Sequence, residues 1–227
     1  MRVLAIGDIH GCSKALDTIL AAVQLRPDDQ IITLGDYIDR GPDSMGVIER
    51  LLALRRLHQV ICLRGNHEQM MLEARKGGPE KDEWLKWGGM GALASYSAWG
   101  EEGSLADVPE QHWEFLEDAC VDWYENETHI FVHACVDPDL PLSEQSTAML
   151  HWEPLRQALP HYSGKTVICG HTAQRSGKPL NLGHTICIDT WVYGEGCLTC
   201  LDVASGAIWQ ANQLGQLRQG SIHDYRV

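Results

Sequence analysis

The sequence predicts an α/β fold. Three observations predict it. Strand-like, loop and helix-like runs alternate three times over the first 75 residues; each strand-like run ends in a packet of polar residues; and short, turn-rich strand runs follow residue 119. Alternation of this kind belongs to a parallel sheet covered by helices. Such folds bind ligands on the loops at the carboxyl ends of their strands.

The elements follow in order. Residues 2–6, "RVLAI", are too short an apolar run for a signal peptide and read as a first strand. Residues 13–23 carry a helix signal, with Ser13 placed as N-cap and Ala15, Leu16, Ile19, Leu20 and Val23 at helical spacing. Residues 30–34 are the second strand. "GPDSMGVIERLLALRRL" is the second helix, capped by Asp43 or Ser44, with Val47, Ile48, Leu51 and Leu52 on one face. "QVICL" (59–63) is the third strand, and "HEQMMLEAR" turns helical again. Residues 78–118, rich in Trp, Gly and helix formers, predict a helical insert that caps a site within one domain spanning residues 1–227. The later runs "VDWYEN", "HIFVHA", "KTVICGH", "HTICIDT", "GCLTCLDV" and "AIWQANQ" predict an antiparallel sheet, and the polar tail beyond residue 213 a loosely held end.

Composition narrows the function. A net charge of −13 repels a phosphate backbone and argues against a nucleic-acid groove. No apolar run reaches the roughly 18 residues of a membrane span. The eight cysteines are scattered, and Cys62, Cys135, Cys169 and Cys187 lie in apolar runs, so the chain reads as reduced and cytoplasmic. Cys197 and Cys200 lack a second pair at zinc-finger spacing. Oligomeric state is not legible.

The packets carry the chemistry. They are Asp8-x-His10, then Asp36 with Asp39 and Arg40, then Arg64-Gly-Asn66-His67-Glu68. Two more strand runs end in His133 and His171. One Asp-x-His alone is an ordinary capped turn, and one histidine alone is ordinary packing. Five strand ends that each deliver Asp, Asn or His form a mixed N/O donor set suited to Mn, Fe or Zn.

"GDIHG", "GDYIDRG" and "RGNHE", in that order and at helix-length gaps, resemble the signature set of the metal-dependent phosphoprotein phosphatases, within the calcineurin-like metallophosphoesterases. "GNHEQMM" and "WGGMGALASY" are similar to the shorter bacterial and phage serine/threonine phosphatases. The resemblance implies a β-sandwich of two mixed sheets flanked by helices, with two divalent ions, manganese foremost. It implies Asp8 and His10 on one metal, Asp36 bridging, and Asn66, His133 and His171 on the other. It makes His67 the general acid, held by Asp39, and Arg40 and Arg64 the phosphate clamp, with Asn66 also facing substrate. Related enzymes add a phosphate-binding arginine near a tryptophan. Here "HWEPLRQ" offers Trp152 and, later than the expected place, Arg156. The implied reaction is in-line attack of a metal-bridging hydroxide on the phosphoester of a protein or small molecule.

Three rivals accompany this reading. One is a binding module or inactive relative that keeps the fold; all six ligand positions and the Asp39–His67 pair stand in the sequence against it. Cys169 stands six residues before Arg175, the spacing of cysteine-dependent phosphatases, but the loop between them is poor in glycine. Symmetrical dinucleoside polyphosphate hydrolases share the metals. Sequences of that branch typically lack the second aspartate of "GDYIDRG" and carry Asp where "GNHE" has Glu, and both features separate this chain from them.

Overall fold

Buried Leu4, Ala5 and Ile6 leave the first strand without a polar face, so it needs cover on both sides. In the computed structural model, residues 2–97 and 103–227 are described. Residues 98–102 of the expected insert lie outside them. Strands β1 (Val3–Ile6), β2 (Gln30–Thr33) and β3 (Gln59–Leu63) pair in parallel, and β4 (Cys120–Val121) extends them beyond β3. On its other edge β1 meets β10 (Leu198–Asp202) antiparallel, followed by β11 (Ala207–Ala211) and β12 (Leu217–Ser221). The order is β12-β11-β10-β1-β2-β3-β4.

A second sheet contains β5 (Trp123–Glu125), β6 (His129–Val132), β7 (Thr166–Cys169), β8 (Leu180–Asn181) and β9 (Thr185–Cys187), in the order β5-β6-β7-β9-β8. The fold is therefore α/β, with two mixed sheets flanked by helices. The sheets pack through one apolar cluster that joins Ala5, Ile32, Leu34 and Leu63 to Phe131, Ile168 and Ile186. On the outer face of the larger sheet, α1 (Ser13–Val23) lies against β10 and β11, and α2 (Ser44–Leu57) lies beside it.

Local chemistry explains the helix starts. Asp43 caps α2, its carboxylate accepting the Gly46 N–H at 2.9 Å. For α1 the expected cap was one residue off: Cys12 holds the cap position without a side-chain cap bond, and its thiol donates to the His10 carbonyl. The insert is helical, as α4 (Pro79–Trp84), a wide turn over Leu85–Gly89, α5 (Met90–Tyr96) and α6 (Glu110–Glu114). Pro79 opens α4, where a missing N–H costs nothing.

Two further expectations are corrected. The late strands do not form one antiparallel sheet. β6, β7 and β9 run parallel, because long crossovers join them, while β10, β11 and β12 add to the first sheet. The tail is not loose: β12 pairs along its whole length with β11, and Ile222 behind it is 2% exposed.

An ion pair ties the first strand to the loop before the second. Arg2 Nε donates to Asp29 Oδ1 at 2.9 Å, and the Arg26 N–H donates to Asp29 Oδ2 at 2.7 Å. The Arg2 bond holds the Asp29 carboxyl below the usual carboxylate range, against the effect of burial. Its stabilisation is complete above the ordinary aspartate pKa and is lost as pH falls through the depressed folded value. Asp29→Asn should therefore lower stability to urea at pH 7 and converge with wild type in strong acid.

Candidate metal centre

The carboxyl ends of β1, β2 and β3 on one sheet, and of β6, β7 and β9 on the other, meet at one edge of the sandwich. The loops there are conformationally costly. His10, Asp36, Asp39, Arg40 and His171 all have positive φ, at 44°, 51°, 70°, 66° and 61°. Residues other than glycine visit this region rarely, at a cost of about 1–3 kcal/mol each.

Asp36 lies at the centre, 2% exposed. Its Oδ2 faces His10 Nε2 at 3.3 Å and His67 Nε2 at 3.9 Å, and its Oδ1 faces His133 Nε2 at 3.4 Å. Two groups of donor atoms result, each within 4.8 Å: His10, Asp36 and His67, and Asp36, His133 and His171. Asn66 Oδ1 joins the second group, 3.1 Å from His133 Nε2 and 3.0 Å from His171 Nδ1.

Backbone carbonyls set the imidazole tautomers. His10 Nδ1 donates to Ile38 O at 2.9 Å, His133 Nδ1 to Leu34 O at 2.8 Å, and His171 Nε2 to Trp152 O at 3.1 Å. Each ring then turns its lone pair toward Asp36, as a metal ligand must. Burial keeps all three neutral: His10 is held well below the ordinary histidine value, His133 is lowered to about 4, and His171 is lowered as well. Burial alone would raise Asp36, but the cluster of His133, His67, His10 and His171 around it outweighs burial and holds it low, with His67, above the ordinary histidine value, as its cationic partner. Lone pairs of His133, His171 and Asn66 thus converge beside Asp36, whose Oδ1 also accepts the His67 N–H at 3.1 Å. A mixed N/O donor set of this kind fits divalent ions.

Glu68 holds the central loop. Its buried carboxylate accepts N–H groups from Gly65, Asp36 and Tyr37, each at 2.8 Å. The carboxylate thereby ties the start of α3 (Asn66–Arg75) to that loop. Gly65 lets α3 start against Asp36: a Cβ there would sit 2.1 Å from Asp36 Oδ1.

His67 is fully buried, and its Nδ1 donates to Asp39 Oδ2 at 2.6 Å. Burial lowers its basicity, but Asp36 and Asp39 more than offset that and the ring lies above the ordinary histidine value. Among the described residues its Nε2 has no hydrogen-bond partner. Exposed Arg40 donates from Nη1 to His10 Nε2 at 3.1 Å and lies over the Tyr193 ring at 4.6 Å. That bond uses the lone pair a metal would take, so the two are mutually exclusive.

Three expected residues are placed differently. The Asp8 carboxylate falls outside both donor groups and accepts the His171 N–H at 3.0 Å. Burial, together with Asp189 and Asp36, holds it well above the carboxylate range. The Arg64 guanidinium donates to the carbonyls of Glu117 and Cys120 at 2.7 and 2.9 Å, so clamping a phosphate would require giving those bonds up. Arg156 lies in the wall of a separate cavity of about 260 Å³ beside Cys135 and Leu155.

The sequence reading missed Asp189, which is buried against Asp8 and raised to about 7, chiefly by burial. The signal was available: "TICID" is another apolar run that ends in a carboxylate. Cys169 is fully buried, and contact with Cys187 together with burial pushes its thiol far up, which leaves it no role as a nucleophile. All eight cysteines are free, Cys197 and Cys200 included. No helix among the described residues is long and apolar enough to cross a membrane.

The model of the calcineurin-like phosphoesterase family matches residues 1–175. Serine/threonine-protein phosphatase 1 of Salmonella typhimurium is 44% identical over 89 residues, 39% of this chain and 39% of that protein. The symmetrical bis(5'-nucleosyl)-tetraphosphatase of an Acidovorax species is 34% identical over 103 residues, 38% of this chain and 36% of that protein. The chain thus matches about two fifths of the length of these curated relatives. A cold-active protein-tyrosine phosphatase of a psychrophilic Shewanella superposes with a TM-score of 0.64 at 17% identity, covering 96% of this chain and 80% of that one. A protein serine/threonine phosphatase from Saccharomyces cerevisiae superposes at 0.61 and 16%, covering 100% and 80%. At those identities the two structures show the fold alone.

Glu68→Gln should replace an acceptor oxygen by a donor against three N–H groups. We expect a loss of about 1–3 kcal/mol in urea unfolding, together with weaker Mn²⁺ binding by calorimetry.

Proposed function

The chain belongs to the calcineurin-like phosphoesterase family of metal-dependent phosphatases, and on that premise we propose that it is a serine/threonine protein phosphatase. The observation that carries this reading is the buried Asp39–His67 pair, whose Nε2 faces Asp36 with no hydrogen-bond partner among the described residues. Serine and threonine leave as alkoxides, which are strong bases and need a proton. A nucleotide leaves as an already stabilised anion. A dedicated proton donor is therefore of most use on the first kind of ester.

His10, Asp36, Asn66, His133 and His171 would hold two divalent ions, Mn in our reading, with Fe or Zn also suited to the donors. Asp8 would join them by turning from the His171 N–H. Bound ions of this kind generate a nucleophile from water and stabilise charge on a phosphoryl group. Arg40 would bind phosphate oxygens, with Arg64 after exchange of its carbonyl partners. As the ester P–O bond breaks, the leaving oxygen takes the proton from His67 Nε2, and Asp39 retains its bond to Nδ1. The eight free thiols support a reducing, cytoplasmic setting.

One observation favours a second reading. A cleft of about 690 Å³ is lined by Trp84, Trp87 and Trp152 together with Arg64 and Gln69. Trp87 and Trp152 are 53% and 42% exposed, and indole faces can stack a nucleobase. Symmetrical dinucleoside tetraphosphate hydrolysis is the corresponding activity.

A Mn²⁺-loaded panel of phosphoserine, phosphothreonine and phosphotyrosine peptides, p-nitrophenyl phosphate and diadenosine tetraphosphate separates the two. We expect the highest kcat/KM on phosphoserine or phosphothreonine; preference for the dinucleotide would overturn the protein-phosphatase reading. EDTA should abolish turnover and added Mn²⁺ restore it. His67→Asn should slow phosphoserine hydrolysis by about 10²–10⁴-fold and p-nitrophenyl phosphate much less. Equal losses would remove His67 as the acid.

A further inference from the structure

We propose that the helical insert acts on the chemistry through Trp84, a positioning residue that orients Asp39 and, through it, His67. The assignment rests on the reading of His67 as proton donor. Trp84 is fully buried, and its Nε1–H donates to Asp39 Oδ2 at 2.8 Å. The same oxygen accepts His67 Nδ1 at 2.6 Å, while Asp39 Oδ1 has no hydrogen-bond partner among the described residues. Both donors thus hold one oxygen, and the backbone beneath it sits at φ 70°. Without the indole, the carboxylate is free to turn about its Cβ–Cγ bond and carry the imidazole with it. The bond is also obligatory for Trp84, because a buried indole N–H has no water to replace the lost partner.

The insert is shaped to deliver this one contact. A Cβ on Gly89 would sit 2.5 Å from the Trp84 ring, so the glycine lets the turn close over the indole. Gly88, at φ 123°, passes the backbone of Arg40: a Cβ there would lie 2.8 Å from Arg40 N, and the Gly88 carbonyl accepts that N–H at 3.3 Å. Asp39 is therefore held by Trp84 and Arg40 by the turn that follows it. Trp84 lies behind the cleft that Trp87 and Trp152 face, which places it between that cleft and the proton donor.

Two substitutions approach the bond from opposite sides. Trp84→Phe keeps a ring and removes the N–H, while Gly89→Ala keeps the N–H and displaces the ring. With saturating Mn²⁺, both should lower kcat on a phosphoserine peptide by about tenfold, the lower end of what losing a supporting contact costs. KM should stay the same, and p-nitrophenyl phosphate turnover should stay within about twofold, because nitrophenolate needs little protonation. A role in packing alone would depress both substrates equally, and that result would overturn the assignment.

A second readout uses the metal-free protein. The indole proton missing from the ¹H–¹⁵N spectrum of Trp84→Phe should exchange slowly in wild type and move on Asp39→Asn. A freely exchanging or unmoved proton would also overturn the assignment. If Trp84→Phe fails to fold, Gly89→Ala decides by its selectivity between the two esters. If His67→Asn itself loses both substrates equally, the proton-donor reading fails and Trp84 falls with it. If His67→Asn is selective and the other two variants are not, only the Trp84 assignment fails.

Discussion

One buried carboxylate sets the terms for the rest of the molecule. Asp36 sits among His10, His67, His133 and His171, with its two oxygens divided between two groups of lone pairs. A desolvated carboxylate is costly unless something cationic answers it, and of these rings only His67 is held above the ordinary histidine value. The left-handed backbone at Asp36, Asp39 and Arg40 adds strain. That arrangement persists because Glu68 receives three backbone N–H groups from the same region.

The two sheets explain how the donors meet. In each sheet a parallel set of strands points its carboxyl ends toward the same edge. β1, β2 and the start of α3 deliver Asp8, His10, Asp36 and Asn66; β6, β7 and β9 deliver His133, His171 and Asp189. The apolar cluster between the sheets sets their separation, so packing of Ala5, Ile32, Phe131 and Ile168 fixes distances in the polar edge above it. Stability and site geometry therefore share one set of contacts.

Charge also resolves locally. The chain carries −13 overall, yet Arg40 stands exposed at the mouth of the donor groups, beside Tyr193. Field at a site is governed by the nearest charges and by bound ions more than by the net value. Crowding of Asp8, Asp36 and Asp189 inside the edge is the structural counterpart: burial first, and then the neighbouring Asp36, push Asp8 and Asp189 above the carboxylate range.

The α/β class, the helix faces and the types of donor at successive strand ends are legible in the sequence. Period and punctuation are local, and glycines flanking "GDIHG", "GDYIDRG" and "RGNHE" mark where the backbone must turn tightly. How those donors are arranged depends on packing between distant segments. It set Asp8 against Asp189, tied Arg64 to carbonyls of Glu117 and Cys120, left Arg156 in another cavity, and brought Trp84 onto Asp39 from 45 residues away. It also ran β6, β7 and β9 in parallel and paired the polar tail as β12. Local pattern reports which side of an element is buried. The partner a buried polar atom finds depends on which distant segment packs against it, and that is a property of the assembled sheets.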